Sequence, residues 1–270
     1  MATFDSIGNQ PKLPKIDTDQ YLLRLKCIRE RVPNLRYLKT LHKAHLLNIP
    51  FENLDIHMKN QIILDIQKIY DKIILKRRGG FCYELNGLFY HLLSQLGFIC
   101  HLVSARSYDD HGELGLPFDH AAILVYFDNQ VYLVDVGFGD LFLEPKLLES
   151  GTVQMDYNRY FKFDKTIDDE YIINESKDSF DYTPKYLFTA DVRQYIEFID
   201  MCQYHQTNEK SHFTKKLIIT RAIPQGRITL TNTKLITSLA GKKEEQKILN
   251  FDEFRVKLYQ HFGIRYARKH

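Results

Sequence analysis

The stretch RRGGFCYELN at residues 77–86 decides how this chain of 270 residues folds and where its chemistry lies. Two glycines precede Cys82, so the backbone there can adopt conformations that other residues disfavour. From Leu85 apolar residues recur at helical spacing until Gly97, which predicts an amphipathic helix with Cys82 in its first turn. The positive end of that helix and two nearby arginines favour a thiolate, so we expect Cys82 to have a lowered pKa and to act as a nucleophile.

Two β-rich runs further along the chain supply a histidine and an aspartate. They are separated by Asp128-Asn129, a two-residue hairpin signal. With that loop length, His120 and Asp135 are diagonal neighbours on one face, because side chains alternate with a period of two. A slip of one residue would place them on opposite faces. The pattern therefore predicts a Cys82–His120–Asp135 triad, in which the imidazole takes the thiol proton and the carboxylate orients the imidazole.

Each member of this triad also has a structural interpretation. Most intracellular cysteines are small buried apolar residues, and a lone histidine is most often a core residue with satisfied hydrogen bonds. An aspartate at a strand end commonly binds a turn amide. The joint placement favours catalysis over these separate roles. By contrast, we interpret His42 and His45, which lie three residues apart among lysines, as surface or boundary residues.

The residues around the triad resemble the motifs of the arylamine N-acetyltransferases. The matching segments share the family's order and spacing and cover most of the chain: IPFENLDIH at 49–57, RGGFC at 78–82 with Asn86 four residues on, DH at 119–120, VDVGFG at 134–139, SHFT at 211–214 and GRITL at 226–230. One departure is Asp119, since many relatives carry a small or hydroxylated residue before the histidine.

The resemblance implies a ping-pong acyl transfer. Cys82 would take the acetyl group of acetyl-coenzyme A as a thioester and pass it to an aromatic amine or hydrazine. His120 would act as base and later as acid, and Asp135 would orient it. Acetyl-coenzyme A would be a cosubstrate, with no tightly bound cofactor and no metal. A role in xenobiotic metabolism is implied as well.

The resemblance also assigns residues around the triad. Phe51 and Phe138 match aromatic residues that line the amine pocket, and Gly139 matches a glycine close to coenzyme A. Glu52 and Arg78 match an ion pair near the nucleophile.

The acetylated cysteine must survive water until the amine arrives, so an apolar pocket is required. For this reason we expect Phe81 to form a further wall of the pocket and to stack on an aryl ring, together with the other aromatic residues.

The hydrophobic pattern divides the chain into three regions. Residues 1–96 show helical periodicity and carry the nucleophile, whereas residues 97–186 read as short strands and carry the histidine and the aspartate. Residues 187–270 mix both patterns. The prediction is an α+β multidomain fold. The resemblance implies the same parts as a helical bundle, an antiparallel β-barrel and an α/β lid, around a papain-like cysteine catalytic core.

Composition argues against several other classes of protein. The net charge is only +3 and no basic stripe stands out, so nucleic acid is not an expected partner. The cysteines, at positions 27, 82, 100 and 202, form no CxxC pair and indicate neither a zinc site nor a disulfide framework. No signal peptide or membrane-spanning run is evident, so we expect a cytoplasmic protein with no membrane partner.

Two other functions remain open on sequence grounds. A papain-like or transglutaminase-like thiol hydrolase would use the same triad with water or a peptide amine as acceptor, and a binding or sensor module would retain the triad as a relic. The motifs at Pro50 and Gly137 favour the transferase. Peptidase turnover without coenzyme A would favour the hydrolase, and a Cys82 thiol that titrates near the free value of about 8.5 would favour the binding module.

Overall fold

A layer of helices packs against two antiparallel sheets in the computed structural model, which describes residues 14–266. The helices before the first sheet are α1 Thr18–Leu25, α2 Leu35–Asn48, α3 Leu54–His57, α4 Ile66–Tyr70 and α5 Cys82–Gln95. A turn of π-helix at Asp71–Leu75 extends α4. The later helices are α6 Ile199–Thr207, which follows a 3-10 turn at Tyr195–Phe198, then α7 His212–Lys215 and α8 Phe251–Phe262.

Helix α5 begins at Cys82 as predicted, but it is buried on all sides. Every residue from Cys82 to Leu93 is buried, so this is a central helix and not a surface helix with one polar face. The chain reaches it by a close backbone approach. A side chain at Gly79 would collide with the Pro50 carbonyl oxygen, and the Gly80 carbonyl accepts a hydrogen bond of 2.8 Å from the Glu52 N–H. Gly97, with φ +90°, follows the end of the helix.

The larger sheet has eight strands in the order β5-β4-β3-β2-β9-β8-β7-β6. Its strands are β2 Ile99–Ser107, β3 His120–Phe127, β4 Gln130–Val134, β5 Lys146–Leu147, β6 Gln154–Asp156, β7 Arg159–Lys165, β8 Tyr171–Ser176 and β9 Thr183–Phe188. The two edge strands meet, because the Gln154 amide accepts from the Leu147 N–H at 2.8 Å and donates to the Leu147 carbonyl at 2.7 Å. The sheet is therefore a nearly closed barrel.

The β3–β4 hairpin has the predicted register. Phe127 pairs with Gln130 and Ile123 pairs with Val134 across the two-residue loop. Asp128 takes the left-handed conformation that such a loop needs, with φ +45°. His120 therefore begins β3 on the same face as Asp135, which directly follows β4.

The smaller sheet has five strands in the order β1-β10-β11-β12-β13. These are β1 Phe51–Glu52, β10 Ile218–Ile223, β11 Gly226–Thr231, β12 Lys234–Leu239 and β13 Lys242–Lys247. Because Phe51 pairs with Thr220, the segment just before α3 is part of the sheet formed by the C-terminal region. The helices, barrel and second sheet match the predicted fold class, while the division of the chain at 96/97 and 186/187 stays a prediction.

A buried network of charges supports the first turn of α5. Arg78 contacts Glu52 at 2.7 Å and Asp55 at 3.3 Å, so the ion pair implied by the resemblance is present. The Lys72 Nζ contacts Asp55 at 2.6 Å and Glu84 at 2.8 Å. Glu84 also accepts a hydrogen bond of 3.2 Å from the N–H of the residue before Cys82. Although burial opposes its charged form, these carboxylates raise the pKa of Lys72 above its usual value.

Replacing Lys72 by methionine should therefore destabilise the fold by about 3–5 kcal/mol, since it leaves buried carboxylates without a cation. Urea unfolding at pH 7 measures this change. Lys68→Met is the matched control, because Lys68 is exposed one turn earlier. That control should shift the free energy of unfolding by no more than about 0.5 kcal/mol. Equal stabilities for the two variants would show that the network contributes nothing net.

Candidate active site

A cavity of about 510 Å³ contains the predicted nucleophile and its base. It opens between the start of α5, the barrel and the second sheet. Its walls include Phe51, Cys82, Asp119, His120, Phe138 and Phe213. The structure therefore brings residues distant in sequence to one enclosed space of the size that small-molecule ligands occupy.

His120 and Asp135 form a buried pair at this cavity. The Nε2 atom of His120 lies 2.7 Å from the Asp135 Oδ2 atom. The other carboxylate oxygen, Oδ1, accepts hydrogen bonds from the N–H groups of Gly137 and Phe138 at 2.9 and 3.0 Å. Burial by itself raises the pKa of the Asp135 carboxyl, but His120 and these donors bring it below its ordinary value. The carboxylate is thus ionised and fixed, and it leaves His120 Nδ1 as the free ring nitrogen.

Asn86 links helix α5, which begins at Cys82, to this carboxylate. Its amide donates to Asp135 Oδ1 at 2.8 Å and to the Ala121 carbonyl at 2.6 Å, and it accepts from the Val136 N–H at 2.9 Å. Sequence reasoning used Asn86 only as part of a motif and gave it no role. The available signal was its spacing, because a residue four positions after Cys82 lies on the same helix face.

Gly137 brings the segment after the hairpin against Cys82. A Cβ atom at this position would lie 2.9 Å from both the Cα and the carbonyl oxygen of Cys82, and 2.7 Å from the amide nitrogen of Asn86. Real side chains do not tolerate such distances, so only glycine allows the segment after Asp135 to contact the first turn of α5.

The Cys82 thiol is buried, with 2% of the residue exposed. Burial raises its pKa well above the ordinary value, and the carboxylates of Asp119 and Asp135 add to this effect. The prediction of a lowered pKa is therefore wrong. The Arg78 guanidinium is occupied by carboxylates behind the helix, and Arg77 points to solvent, so neither cation offsets the desolvation of the thiol. Cys82 needs a base to become a nucleophile.

His42 and His45 are buried, so their interpretation as surface or boundary residues is wrong. The two rings of His42 and Phe142 stack at 5.5 Å. His42 Nδ1 lies 2.8 Å from the Leu143 carbonyl oxygen, and Nε2 lies 3.1 Å from the backbone oxygen of Asp135. Lys43, which lies between the two histidines, is exposed because α2 packs its other face inward. His42 therefore supports the strand end that carries Asp135.

The aromatic residues divide into wall residues and a supporting residue. Phe51 and Phe138 line the cavity as the resemblance implied, and the Phe138 ring stands edge-on to the His120 ring at 5.3 Å. Phe213, which the sequence analysis quoted within the SHFT segment but gave no role, also lines it and packs 6.0 Å from Phe51. Its helix α7 lies in a region where the sequence pattern is mixed, so no periodicity marked it.

The structure does not place Phe81 in the cavity wall. Phe81 is fully buried, with its ring 5.1 Å from that of Tyr83 and 6.0 Å from that of Phe213. It supports the wall from behind, because its ring packs near Phe213, which does line the cavity. Gly139, by contrast, does line the cavity, with φ +93°.

All four cysteines are free thiols. Within residues 14–266 no cluster of histidine, cysteine, aspartate or glutamate could hold a metal ion. The same part of the chain contains no helix with the length and apolar character needed to span a bilayer.

Comparison with known proteins identifies the family. The sequence model of the N-acetyltransferase family matches residues 34–270. An arylamine N-acetyltransferase / N-hydroxyarylamine O-acetyltransferase of Salmonella typhimurium is 30% identical over 247 residues, which are 90% of this chain and 87% of the relative. The chain therefore belongs to the arylamine N-acetyltransferase family, enzymes that transfer acetyl groups to arylamines with acetyl-coenzyme A as cosubstrate.

Solved structures confirm the predicted fold class. The arylamine N-acetyltransferase structure from Salmonella typhimurium superposes with a TM-score of 0.86 at 29% identity and covers 92% of this chain and 90% of that one. One from Bacillus cereus is described as having a unique Cys-His-Glu catalytic triad. It has a TM-score of 0.86 at 28% identity, and the match covers 93% of this chain and 100% of that chain. Family members are not uniform in product, since a 28% identical relative from Amycolatopsis mediterranei is called proansamycin X synthase; the match covers 88% of this chain and 94% of that relative.

Proposed function

We propose that Cys82, His120 and Asp135 carry out acetyl transfer from acetyl-coenzyme A to an aromatic amine or hydrazine. The observation that supports this most strongly is the 2.7 Å contact between His120 and an ionised Asp135, in a cavity that also contains the buried Cys82 thiol. A base is needed there because burial raises the pKa of the thiol. The ring nitrogen not bound to Asp135, Nδ1, is free to accept its proton.

In the first half-reaction His120 removes the proton from the Cys82 thiol. The thiolate attacks the carbonyl carbon of the thioester, and the bond between that carbon and the coenzyme A sulfur breaks. Coenzyme A leaves with the proton that His120 returns. We propose that the Cys82 backbone N–H, at the start of α5, is one donor to the oxyanion.

In the second half-reaction the amine nitrogen attacks the acetylated Cys82. His120 takes the amine proton and returns a proton to the departing sulfur, so the free thiol is restored. The acetyl thioester must last between the two steps. Phe51, Phe138 and Phe213 support that requirement, because apolar walls exclude water and offer faces for an aryl ring.

The proposed roles of the other residues follow from their positions. Gly139 lines the cavity, where a backbone without a side chain leaves room for coenzyme A. Glu52 and Arg78 hold the turn before Cys82. No tightly bound cofactor takes part in the proposed reaction. The four free thiols favour a reducing cytoplasm as the location.

Steady-state kinetics with acetyl-coenzyme A and an aryl hydrazine test the reaction. Double-reciprocal plots at several hydrazine concentrations should give parallel lines, because coenzyme A leaves before the acceptor binds. The product should be the N-acetylated hydrazine. Release of coenzyme A at the same rate without any acceptor would identify the enzyme as a hydrolase and contradict the proposal.

A further inference from the structure

Asp119 contributes a mostly buried carboxylate to the wall of the active-site cavity. Among the described residues four aspartates line this cavity, and the other three, at positions 109, 110 and 140, are exposed. The side chain of Asp119 is only 16% exposed. Asp119 is also the position at which the motif before His120 departs from the residue types that many relatives carry. The proposed chemistry at Cys82 gives it no role.

The backbone of Asp119 is fixed between the helix that begins at Cys82 and the strand that begins at His120. Asp119 directly precedes His120. The Tyr83 hydroxyl, in the first turn of α5, lies 3.0 Å from the Asp119 carbonyl oxygen and 2.7 Å from that of Phe118. Asp119 therefore lines the same part of the cavity as Cys82, where its charge adds to burial in raising the pKa of the thiol.

Two neighbours orient the Asp119 carboxylate. Its Oδ1 atom lies 3.2 Å from His205 Nε2, and its Oδ2 atom accepts a hydrogen bond of 3.3 Å from the Ser107 N–H. Burial opposes the charged form, but these contacts bring the pKa of Asp119 below its ordinary value. The carboxylate is therefore ionised at pH 7 and held in place.

No permanent cation neutralises this carboxylate. Between residues 14 and 266 no lysine or arginine lies within ion-pair distance of Asp119. Its partner His205 is a buried imidazole, which does not hold a fixed charge at pH 7 as lysine and arginine do. The cations that line the cavity are placed elsewhere, since Arg227 pairs with Asp140 at 3.0 Å and Lys216 is exposed. The negative charge of Asp119 is thus available to a ligand.

The surroundings of Asp119 suit a cation that carries an aryl group. Phe51, Phe138 and Phe213 line the same cavity. The faces of aromatic rings attract cations, and apolar walls screen the field of a carboxylate less than water does. A carboxylate among aromatic rings therefore stabilises a positively charged group and repels a negatively charged one.

We propose that Asp119 is a specificity-determining residue that selects acceptor amines carrying a second, positively charged group. The aryl amine nitrogen attacks the acetylated Cys82, while the charged substituent contacts Asp119 and the aromatic walls. An acceptor that carries a carboxylate in place of the cation is repelled. This inference rests on the proposed function, because it needs an acetylated Cys82 as the partner of the amine.

Three acceptors of similar size test the proposal: 4-(aminomethyl)aniline, which is cationic at pH 7, 4-ethylaniline, which is neutral, and 4-aminophenylacetate, which is anionic. In Asp119→Asn the kcat/KM for the cationic acceptor should fall at least about tenfold, because a poorly screened attraction is lost. The kcat/KM for the anionic acceptor should rise, and that for 4-ethylaniline should change by less than about twofold. In a ping-pong reaction the kcat/KM of the acceptor reports only the steps after Cys82 is acetylated, so an altered thiol pKa does not affect it.

Two further variants complete the test. Asp168→Asn is the matched control, because Asp168 is an exposed aspartate in the loop between β7 and β8, and it should leave all three values unchanged. Asp119→Ser removes the same charge with a smaller side chain and should give the same pattern as Asp119→Asn. An equal fall in kcat/KM for all three acceptors would show that Asp119 only supports the structure, and it would overturn the proposal.

Direct binding to the wild-type protein separates this proposal from the proposed function and depends on no variant. In calorimetry benzyltrimethylammonium, an unreactive cation, should bind at least about tenfold more tightly than phenylacetate. Binding of phenylacetate with equal or higher affinity would overturn the selection by charge. Binding of the cation without acetyl transfer to any of the three acceptors would instead contradict the proposed function and leave Asp119 as part of a cation site.

Discussion

Replacement of His120 by asparagine is expected to lower the rate of Cys82 acetylation at pH 7 by about 10²–10⁴-fold. The reason is the burial of the thiol, which raises its pKa and keeps it protonated when no base is present. Asparagine is close to imidazole in size and can still donate a hydrogen bond toward Asp135, but it cannot take a proton. Single-turnover acetylation by acetyl-coenzyme A measures the rate, and His111→Asn, at an exposed position, should leave it unchanged.

The pH dependence of the acetylation rate tests whether His120 acts as a base. In the variant the thiol must ionise by itself, and its pKa lies well above the ordinary value. The residual rate should therefore keep rising through the alkaline range, where the wild-type rate has already levelled off. Superimposable pH profiles for wild type and variant would show that His120 does not take the thiol proton.

The hairpin and the nucleophile helix could be predicted because their rules are local. A two-residue loop fixes the pairing of the strands it joins, so His120 and Asp135 had to share a face once the loop was recognised. Glycines before Cys82 and helical spacing after it marked the start of α5 in the same way. Both patterns depend on residues that are neighbours in the chain.

The electrostatics of the nucleophile could not be predicted, because they depend on partners from elsewhere. The sequence places Arg78 four residues before Cys82, but in the fold its charge is taken by Glu52 and Asp55. Burial of the thiol then sets the direction of the pKa shift. Neither the competing partners nor the depth of burial can be read from the local pattern.

Supporting residues were missed for a related reason. His42 reaches the backbone of Asp135 from a helix 93 positions away in the chain, and nothing in its own surroundings indicates that contact. Phe213 enters the cavity wall from a four-residue helix that is too short to show periodicity. Phe81 was predicted to form a wall because the chemistry requires an apolar pocket, whereas its ring is fully buried and packs near Tyr83 and Phe213.

Replacement of Cys82 by alanine should have the largest effect on acetylation of the protein, because the thioester cannot form without the sulfur. The mass of the intact protein after limiting acetyl-coenzyme A, with no acceptor present, reports it directly. Cys27→Ala is the matched control, because Cys27 is the only cysteine that is not fully buried and removal of its thiol leaves the cavity untouched. If removal of any cysteine lowered acetylation, Cys27→Ala would lose the acetyl adduct as well as Cys82→Ala. If Cys82 carries the acetyl group, only Cys82→Ala should lose it.

Intact-protein mass spectrometry of these three proteins is therefore the decisive measurement. Wild type and Cys27→Ala should each gain the mass of one acetyl group, and Cys82→Ala should gain none. An acetyl adduct on Cys82→Ala in the same yield as on wild type would contradict the account, because the acyl group would then be carried by another residue.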